Sequence, residues 1–231
     1  MKLEQTTIAT EKKVVLPYTP TREYEVESLG ALPCKPGYEL AKRCFDIVVS
    51  ALSLLVLAIP MCIIGIAVRA TSSGPALYTQ ERLGKDGKKI KICKFRTMIS
   101  DSEIDTIRWS YDEDPRVTPL GRILRKYHID ELPQLWDILR GVLSFVGPRP
   151  EREVFYDAFE VYIHGFRERL KVKPGLTGLA QVKGGSFMPP EEKIFCDVEY
   201  IKNRSMLLDL SLMIKTLIVV LEKVFGNEQG K

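Results

Sequence analysis

The stretch IVVSALSLLVLAIPMCIIGIAV, Ile47–Val68, contains no charged residue. As an α-helix it would be about 33 Å long at roughly 1.5 Å per residue. A hydrocarbon core is about 30 Å thick, so the segment is long enough to enter a membrane. A buried core helix is the competing reading, but 22 uncharged residues are too many for one helix of a domain this size. Pro60 lies inside the segment. It removes the amide that would bond to the carbonyl of Val56, and its ring crowds that turn, so a bend is expected there. Lys42 and Arg43 precede the segment and Arg69 follows it. Basic flanks favour the cytoplasmic side. With both ends basic, the residues allow a helix that dips in, bends at Pro60 and returns. They equally allow an ordinary kinked span, since membrane helices tolerate proline.

Outward from this segment the chain divides into three. Residues 1–40 are polar and interrupted by Pro17, Pro20, Pro33, Pro36 and Gly37, which reads as a flexible tail. The apolar stretch starts too far in for a secretory signal. Residues 41–70 hold the membrane helix, and 71–231 form the catalytic-domain candidate. Composition agrees with a folded chain: 45% hydrophobic and 28% charged residues exclude wholesale disorder. A net charge of +4 is too mild to indicate nucleic-acid binding. Five scattered cysteines with no CxxC exclude a disulfide framework and a zinc ribbon, and read as reduced thiols. His128 and His164 are the two histidines of the chain, so a histidine-rich metal site is not expected.

Within 71–231, Ala76–Leu83 and Lys89–Phe95 read as strands of a hairpin joined at Lys85-Asp86-Gly87. Alternation places Lys94 with Ile90 and Ile92 on the apolar face. That is either a strand irregularity or a lysine aimed inward at an anion. Thr118-Pro119 reads as a helix start, with Leu120, Ile123, Leu124 and Tyr127 as its apolar stripe. Further helices are expected over 132–140, closed by Gly141, over 151–171, over 189–203 and over 206–225. The last is apolar but interrupted by Asp209, Lys215, Glu222 and Lys223. It suits the membrane surface or the core better than a second span. The expected fold class is α+β and mainly helical, with a membrane helix, a small β-hairpin and amphipathic helices at the membrane surface.

Three stretches could carry chemistry. His128-Ile129-Asp130-Glu131-Leu132-Pro133-Gln134 places two carboxylates at a helix start. Carboxylates belong there for capping reasons alone. Arg125 and Lys126 nearby, however, would keep one ionised, as a nucleophile or metal ligand requires. In Phe145-Val146-Gly147-Pro148-Arg149-Pro150-Glu151 two prolines fix the backbone around Arg149. That suits a guanidinium gripping phosphate, or simply a structural corner. Lys173-Pro174-Gly175-Leu176-Thr177-Gly178-Leu179-Ala180-Gln181-Val182 is a tight loop with exposed amides that could approach a nucleotide or merely turn the chain.

These stretches, together with KRCFDIVVS (residues 42–50) and ERLGKDGKKIKICKFRTM (residues 81–98), stand in an order that resembles the bacterial sugar transferases, the small monotopic phosphoglycosyl transferases. The resemblance runs from about Lys42 to Leu221. It implies transfer of a phosphosugar from a nucleotide sugar, usually a UDP-sugar, to polyprenyl (undecaprenyl) phosphate, releasing UMP. Such a step begins exopolysaccharide, capsule, O-antigen or glycoprotein glycan synthesis, with downstream glycosyltransferases as possible partners. It implies Asp130 as the nucleophile of a covalent intermediate, and Glu131 as its partner associated with Mg²⁺. Lys94, Arg125 and Arg149 match the family's phosphate-binding positions. The apolar segment matches its re-entrant helix, with Pro60 at the bend and the catalytic domain on the cytoplasmic face of the bacterial inner membrane. Two departures stand out. Ile59-Pro60 replaces the family's usual Ser-Pro. Lys183-Gly184-Gly185 replaces its Asn-Gly-Arg, leaving Lys183 as the nearest candidate for the missing charge. The competing class is an inactive membrane-attached scaffold of a glycan-assembly complex, which needs no paired carboxylates.

Overall fold

The computed structural model describes residues 22–99, 115–185 and 188–225, and the backbone of residues 5–6, 13–15 and 106–108. In chain order the strands are β1 (Gln5–Thr6), β2 (Lys13–Val15), β3 (Tyr24–Glu25), β4 (Leu77–Leu83), β5 (Lys89–Phe95), β6 (Thr106–Arg108), β7 (Ser144–Val146), β8 (Ile163–His164) and β9 (Gly175–Thr177). The helices are α1 (Pro36–Thr71), α2 (Pro119–Lys126), α3 (Gln134–Arg140), α4 (Glu153–Glu160), α5 (Leu179–Gly184), α6 (Pro190–Asn203) and α7 (Met206–Phe225). The chain is mostly helical with small strands, as its sequence indicates.

Helix α1 has 36 residues, a length of about 54 Å. Its helical pattern continues through Pro60, so no non-helical turn divides it there. Its two faces differ. Phe45, Val49, Leu54 and Leu57 pack on the core formed by α3, β7 and α6. Further along, Met61, Ile64 and Val68 pack with Phe95 and Leu124. These positions recur at helical spacing, so one face meets the domain along the whole segment. The opposite face carries Val48, Leu52, Leu55, Val56, Ile59, Ile63 and Ile66, all exposed. Helix α7 repeats the design. Asp209 and Leu212 are buried, while Leu207, Leu210, Ile214, Leu217, Ile218 and Leu221 are exposed.

The hairpin β4–β5 is antiparallel and pairs without interruption from Leu77 opposite Phe95 to Leu83 opposite Lys89. No bulge lies at Lys94. Asp86 and Gly87 both adopt positive φ, which closes the turn the sequence marks. Helix α2 begins as expected, with Gly121 N–H donating to Thr118 Oγ1 at 3.0 Å.

Three expectations need correction, and one strand pairing is new. The apolar stripe of α2 buries Leu124, but Ile123 is exposed. The helix expected over 151–171 ends at Glu160. Gly165 has φ 91°, a left-handed conformation that favours glycine and breaks the helix. Ile163–His164 pairs instead with Tyr24–Glu25 in parallel, and a 3-10 turn follows over Phe166–Lys171. The tail expected over 1–40 joins the body from Arg22 onward. Val26 is buried against the aromatic core of Phe155, Phe159 and Phe166, and α1 starts already at Pro36. Most of residues 1–21 lie outside the described residues. Last, β7 and β9 form a parallel pair, Ser144 with Gly175 and Val146 with Thr177. The pair lays the Gly147–Glu151 loop beside the Lys173–Gly178 loop. The fit there is close: a Cβ on Gly147 would lie 2.4 Å from the Lys173 carbonyl oxygen.

Candidate active site

Asp130 and Glu131 lie on a 3-10 turn, Ile129–Glu131, just before α3. The residue ahead of it, His128, has φ 57°. A left-handed non-glycine residue costs roughly 1–2 kcal/mol, and here it redirects the chain from α2 into this turn. Both carboxylates are buried.

Three elements bring cations to them. Lys94 reaches from β5, and its Nζ donates to Glu131 Oε1 at 2.6 Å. The inward lysine is thus aimed at an anion. Arg149 grips the same carboxylate with two nitrogens, Nη1 to Oε2 at 3.2 Å and Nη2 to Oε1. This is the forked pairing that suits guanidinium and carboxylate. Arg125 donates from Nε to Thr97 Oγ1 at 2.8 Å, and its charge acts on Asp130.

The two carboxylates therefore differ. Burial pushes the Glu131 carboxyl up, but the Arg149 and Lys94 charges outweigh it and hold the group well below the usual range. Burial, and next the Glu131 charge, push Asp130 up to about 6 against the pull of Lys94, Arg125 and Arg149. Glu131 is saturated, whereas Asp130 Oδ1 is buried without a hydrogen-bond partner. A buried oxygen in that state is costly unless it serves a ligand or a reaction.

This asymmetry bears on the expected metal. Among the described residues no group of three or more acidic, histidine or cysteine side chains could hold an ion. Both oxygens of Glu131, the expected ligand, are occupied by cations. The free hard oxygen belongs to Asp130. Magnesium is usually held by one or two carboxylates together with substrate phosphates, and the donors present fit that mode through Asp130.

Sequence reasoning missed the supports of this cluster. Asp137, fully buried, accepts from Cys93 N–H at 2.8 Å and ties β5, hence Lys94, to α3. Arg96 donates to the carbonyls of Ser72 at 2.7 Å and of Ser73, fastening the end of α1 to the same strand. Arg169 donates to the Arg149 carbonyl at 2.9 Å and pairs with Asp197 at 2.7 Å. An aspartate between the buried Leu135 and Ile138 was a readable signal for Asp137. The Arg169–Asp197 pair had none. Lys183, the candidate for a missing charge, pairs at 2.8 Å with Glu199.

Comparison with known proteins is decisive at this point. The model of the family described as "Bacterial sugar transferase" matches residues 37–223. The chain belongs to the bacterial sugar transferase family. It is 36% identical over 204 residues to the UDP-glucose:undecaprenyl-phosphate glucose-1-phosphate transferase of Escherichia coli K12, covering 83% of this chain and 44% of the relative. It is 37% identical over 196 residues to the UDP-N-acetylgalactosamine-undecaprenyl-phosphate N-acetylgalactosaminephosphotransferase of Aeromonas hydrophila, covering 84% and 46%. A Caulobacter vibrioides protein, also a UDP-glucose:undecaprenyl-phosphate glucose-1-phosphate transferase by name, is 38% identical over 192 residues, covering 81% and 72%. The chain thus spans less than half the length of the first two relatives. The matched residues take in α1 from Gly37, the Asp130–Glu131 turn and the Arg149 loop.

Proposed function

We propose that this chain is a phosphoglycosyl transferase that moves a phosphosugar from a UDP-sugar to polyprenyl phosphate, yielding polyprenyl diphosphosugar and UMP. The observation that carries this reading is the unequal carboxylate pair. Glu131 is neutralised by Lys94 and Arg149, and Asp130 keeps a buried oxygen free. The relatives' names, which specify UDP-sugars and undecaprenyl phosphate, support the substrate classes.

In this reading Asp130 Oδ1 attacks the sugar-bearing phosphorus. The bond from that phosphorus to the bridging oxygen breaks, and UMP leaves with the oxygen. A phosphate oxygen of the polyprenyl acceptor then attacks the same phosphorus, and the Asp130 carboxylate departs regenerated. Lys94 and Arg149 supply positive charge beside the transferring group, and Arg125 adds to it from α2. Phosphoryl transfer depends on such positioning and charge compensation more than on acid–base groups. Mg²⁺, held by the substrate diphosphate and the other Asp130 oxygen, Oδ2, would neutralise the leaving phosphate. A scaffold protein has no use for this arrangement.

Helix α1 supports membrane attachment. Burying the seven exposed side chains of its outer face named above in lipid is worth on the order of 10–20 kcal/mol at 1.5–3 kcal/mol each. The inner face of α1 meets the domain from Phe45 to Val68, and Arg43 and Arg96 fasten its two ends to that domain. A helix covered by one domain along its length fits a segment that enters and leaves on one face. In this reading residues 41–70 are a re-entrant element and 71–231 the catalytic domain on the cytoplasmic side of the inner membrane. The step would start a glycan that downstream glycosyltransferases extend.

The test incubates the purified protein with a panel of UDP-sugars and undecaprenyl phosphate and measures UMP. UMP release with one sugar, lost on EDTA treatment and restored by Mg²⁺, is the expected result. No release with any sugar would overturn the enzymatic reading, and undiminished release in EDTA would remove the metal.

A further inference from the structure

The mechanism above leaves a buried polar cluster between α1 and α7 unused. Lys42 Nζ donates to Asp209 Oδ2 at 2.6 Å, to the Val146 carbonyl at 2.9 Å and towards Tyr200 Oη at 3.4 Å. Tyr200 Oη donates to Asp209 Oδ1 at 2.8 Å and also lies 3.3 Å from the Val146 carbonyl oxygen. Tyr38 Oη donates to Asp209 Oδ2 at 3.0 Å. Lys42 and Tyr38 belong to α1, Tyr200 to α6 and Asp209 to α7. Lys42 and Tyr200 both reach one backbone carbonyl, that of Val146, and Asp209 ties the donors together. Val146 is the last residue of β7, and Gly147-Pro148-Arg149 follows it.

The placement is unusual in two respects. An aspartate stands on α7, whose outer face carries exposed Leu207, Leu210, Ile214, Leu217 and Ile218, yet Asp209 points inward and is only 4% exposed. A buried ion pair is a weak source of stability, because desolvation offsets its attraction. It is a strong source of geometric definition when each donor and acceptor has one partner position. Lys42 here uses three donors on three acceptors. One turn along α1, Asp46 Oδ1 accepts from the Phe145 amide at 3.1 Å and from Ser144 Oγ at 3.2 Å. The strand leading to Arg149 is therefore gripped from α1 at both an amide and a carbonyl. On its other side Gly147 N–H donates to the Thr177 carbonyl at 2.8 Å.

We propose that Lys42, Tyr200 and Asp209 are positioning residues that set the Arg149 loop by holding the Val146 carbonyl, so that the two apolar-faced helices and the phosphate-gripping arginine move as one unit. This rests on the phosphoglycosyl transferase reading and assigns it a further set of residues. None of the three touches the substrate. They act through Arg149, whose misplacement loosens the grip on the nucleotide sugar. The lipid acceptor is not held by this loop in the proposal, so its KM is unaffected.

The experiment compares the full-length protein with its Tyr200→Phe and Lys42→Met variants in one detergent. Tyr200→Phe keeps the buried ring and removes only the hydroxyl. Two readouts are taken: steady-state kinetics against each substrate, and backbone hydrogen exchange. The expected result is at least a tenfold loss of kcat/KM for the UDP-sugar, with KM for undecaprenyl phosphate unchanged. Exchange of residues 144–151 rises about tenfold, and that of residues 155–170 stays at the wild-type rate. Kinetics within twofold of wild type in both folded variants would overturn the proposal. So would a uniform rise in exchange across the domain, which marks a merely structural role. If the wild-type protein turns over no UDP-sugar but the exchange change stays confined to 144–151, the catalytic reading fails and the positioning of the loop stands.

Discussion

Glu131 and Glu151 sit in clusters built on the same plan. Each is a buried glutamate with a cation on each oxygen: Lys94 and Arg149 for Glu131, Lys193 at 3.2 Å and Arg82 at 3.2 Å for Glu151. Both carboxyls lie below the ordinary range, because their paired cations outweigh the burial that pushes each up. The clusters differ in what stands next to the glutamate. Beside Glu131 is Asp130, with one buried oxygen unpartnered and its carboxyl pushed up to about 6. Beside Glu151 the neighbouring buried aspartate, Asp197, is likewise pushed up by burial, and its Oδ2 likewise lacks a hydrogen bond, but that oxygen lies 2.7 Å from Arg169 Nη2 in an ion pair. Paired glutamate charge is thus common to both clusters. The ion pair on the neighbouring aspartate, present at Asp197 and, among the described residues, lacking at Asp130, separates them.

The largest effect that would break this comparison is at Asp130. Asp130→Asn keeps the shape and removes the proposed nucleophile. UMP release should fall at least a hundredfold while the thermal midpoint holds or rises slightly, since a raised carboxyl no longer has to ionise in a buried site. Retention of more than a few per cent of turnover would equate the two clusters. Glu151→Gln should act the other way. It removes the carboxylate charge that Lys193 and Arg82 share in a buried site, which costs about 3–5 kcal/mol. The midpoint should drop by about 10 °C, with turnover of the folded protein at low temperature within about tenfold of wild type. A variant that is stable but inactive would place Glu151 in the chemistry.

A smaller effect is expected from pH. In the proposed mechanism Asp130 must be ionised to attack, so turnover should fall below pH 6, reaching about a tenth at pH 5. Its contribution to stability has the opposite sense. The folded-state pKa lies above the ordinary value of 3.8, so the folded protein binds the proton more tightly and this group favours folding most below pH 4. That contribution is lost as the pH rises through 6. Glu151, held below its ordinary value, contributes stability above that value and loses it on acidification. A turnover profile flat from pH 5 to 7 would remove Asp130 from the rate-determining chemistry.

Local rules made much of this legible from the sequence. The hairpin turn at Asp86-Gly87, the Thr118 cap and the inward Lys94 each depend on neighbours a few residues away. Pairings between distant segments left no such mark. Val26 enters a core made by residues 155–166, and β7 pairs with β9 thirty residues later. The break at Gly165 was missed because the mixed residues around it suit a helix, and only the pairing of Ile163–His164 with β3 draws the chain away. At the site, residue types and order pointed to Asp130, Glu131, Lys94 and Arg149. They could not show that Glu131 would be taken up by the cations and leave Asp130 as the free oxygen, because that division depends on where β5 and the Arg149 loop meet the turn.

The central claim is that Asp130 itself receives the phosphosugar. Intact-protein mass spectrometry after incubation with the UDP-sugar and Mg²⁺, without polyprenyl phosphate, tests it directly. The account predicts a mass increase of one phosphosugar that peptide mapping places on Asp130, absent in Asp130→Asn and discharged when polyprenyl phosphate is added. Full turnover with both substrates and no adduct in the absence of acceptor, or an adduct that persists in Asp130→Asn, would contradict it.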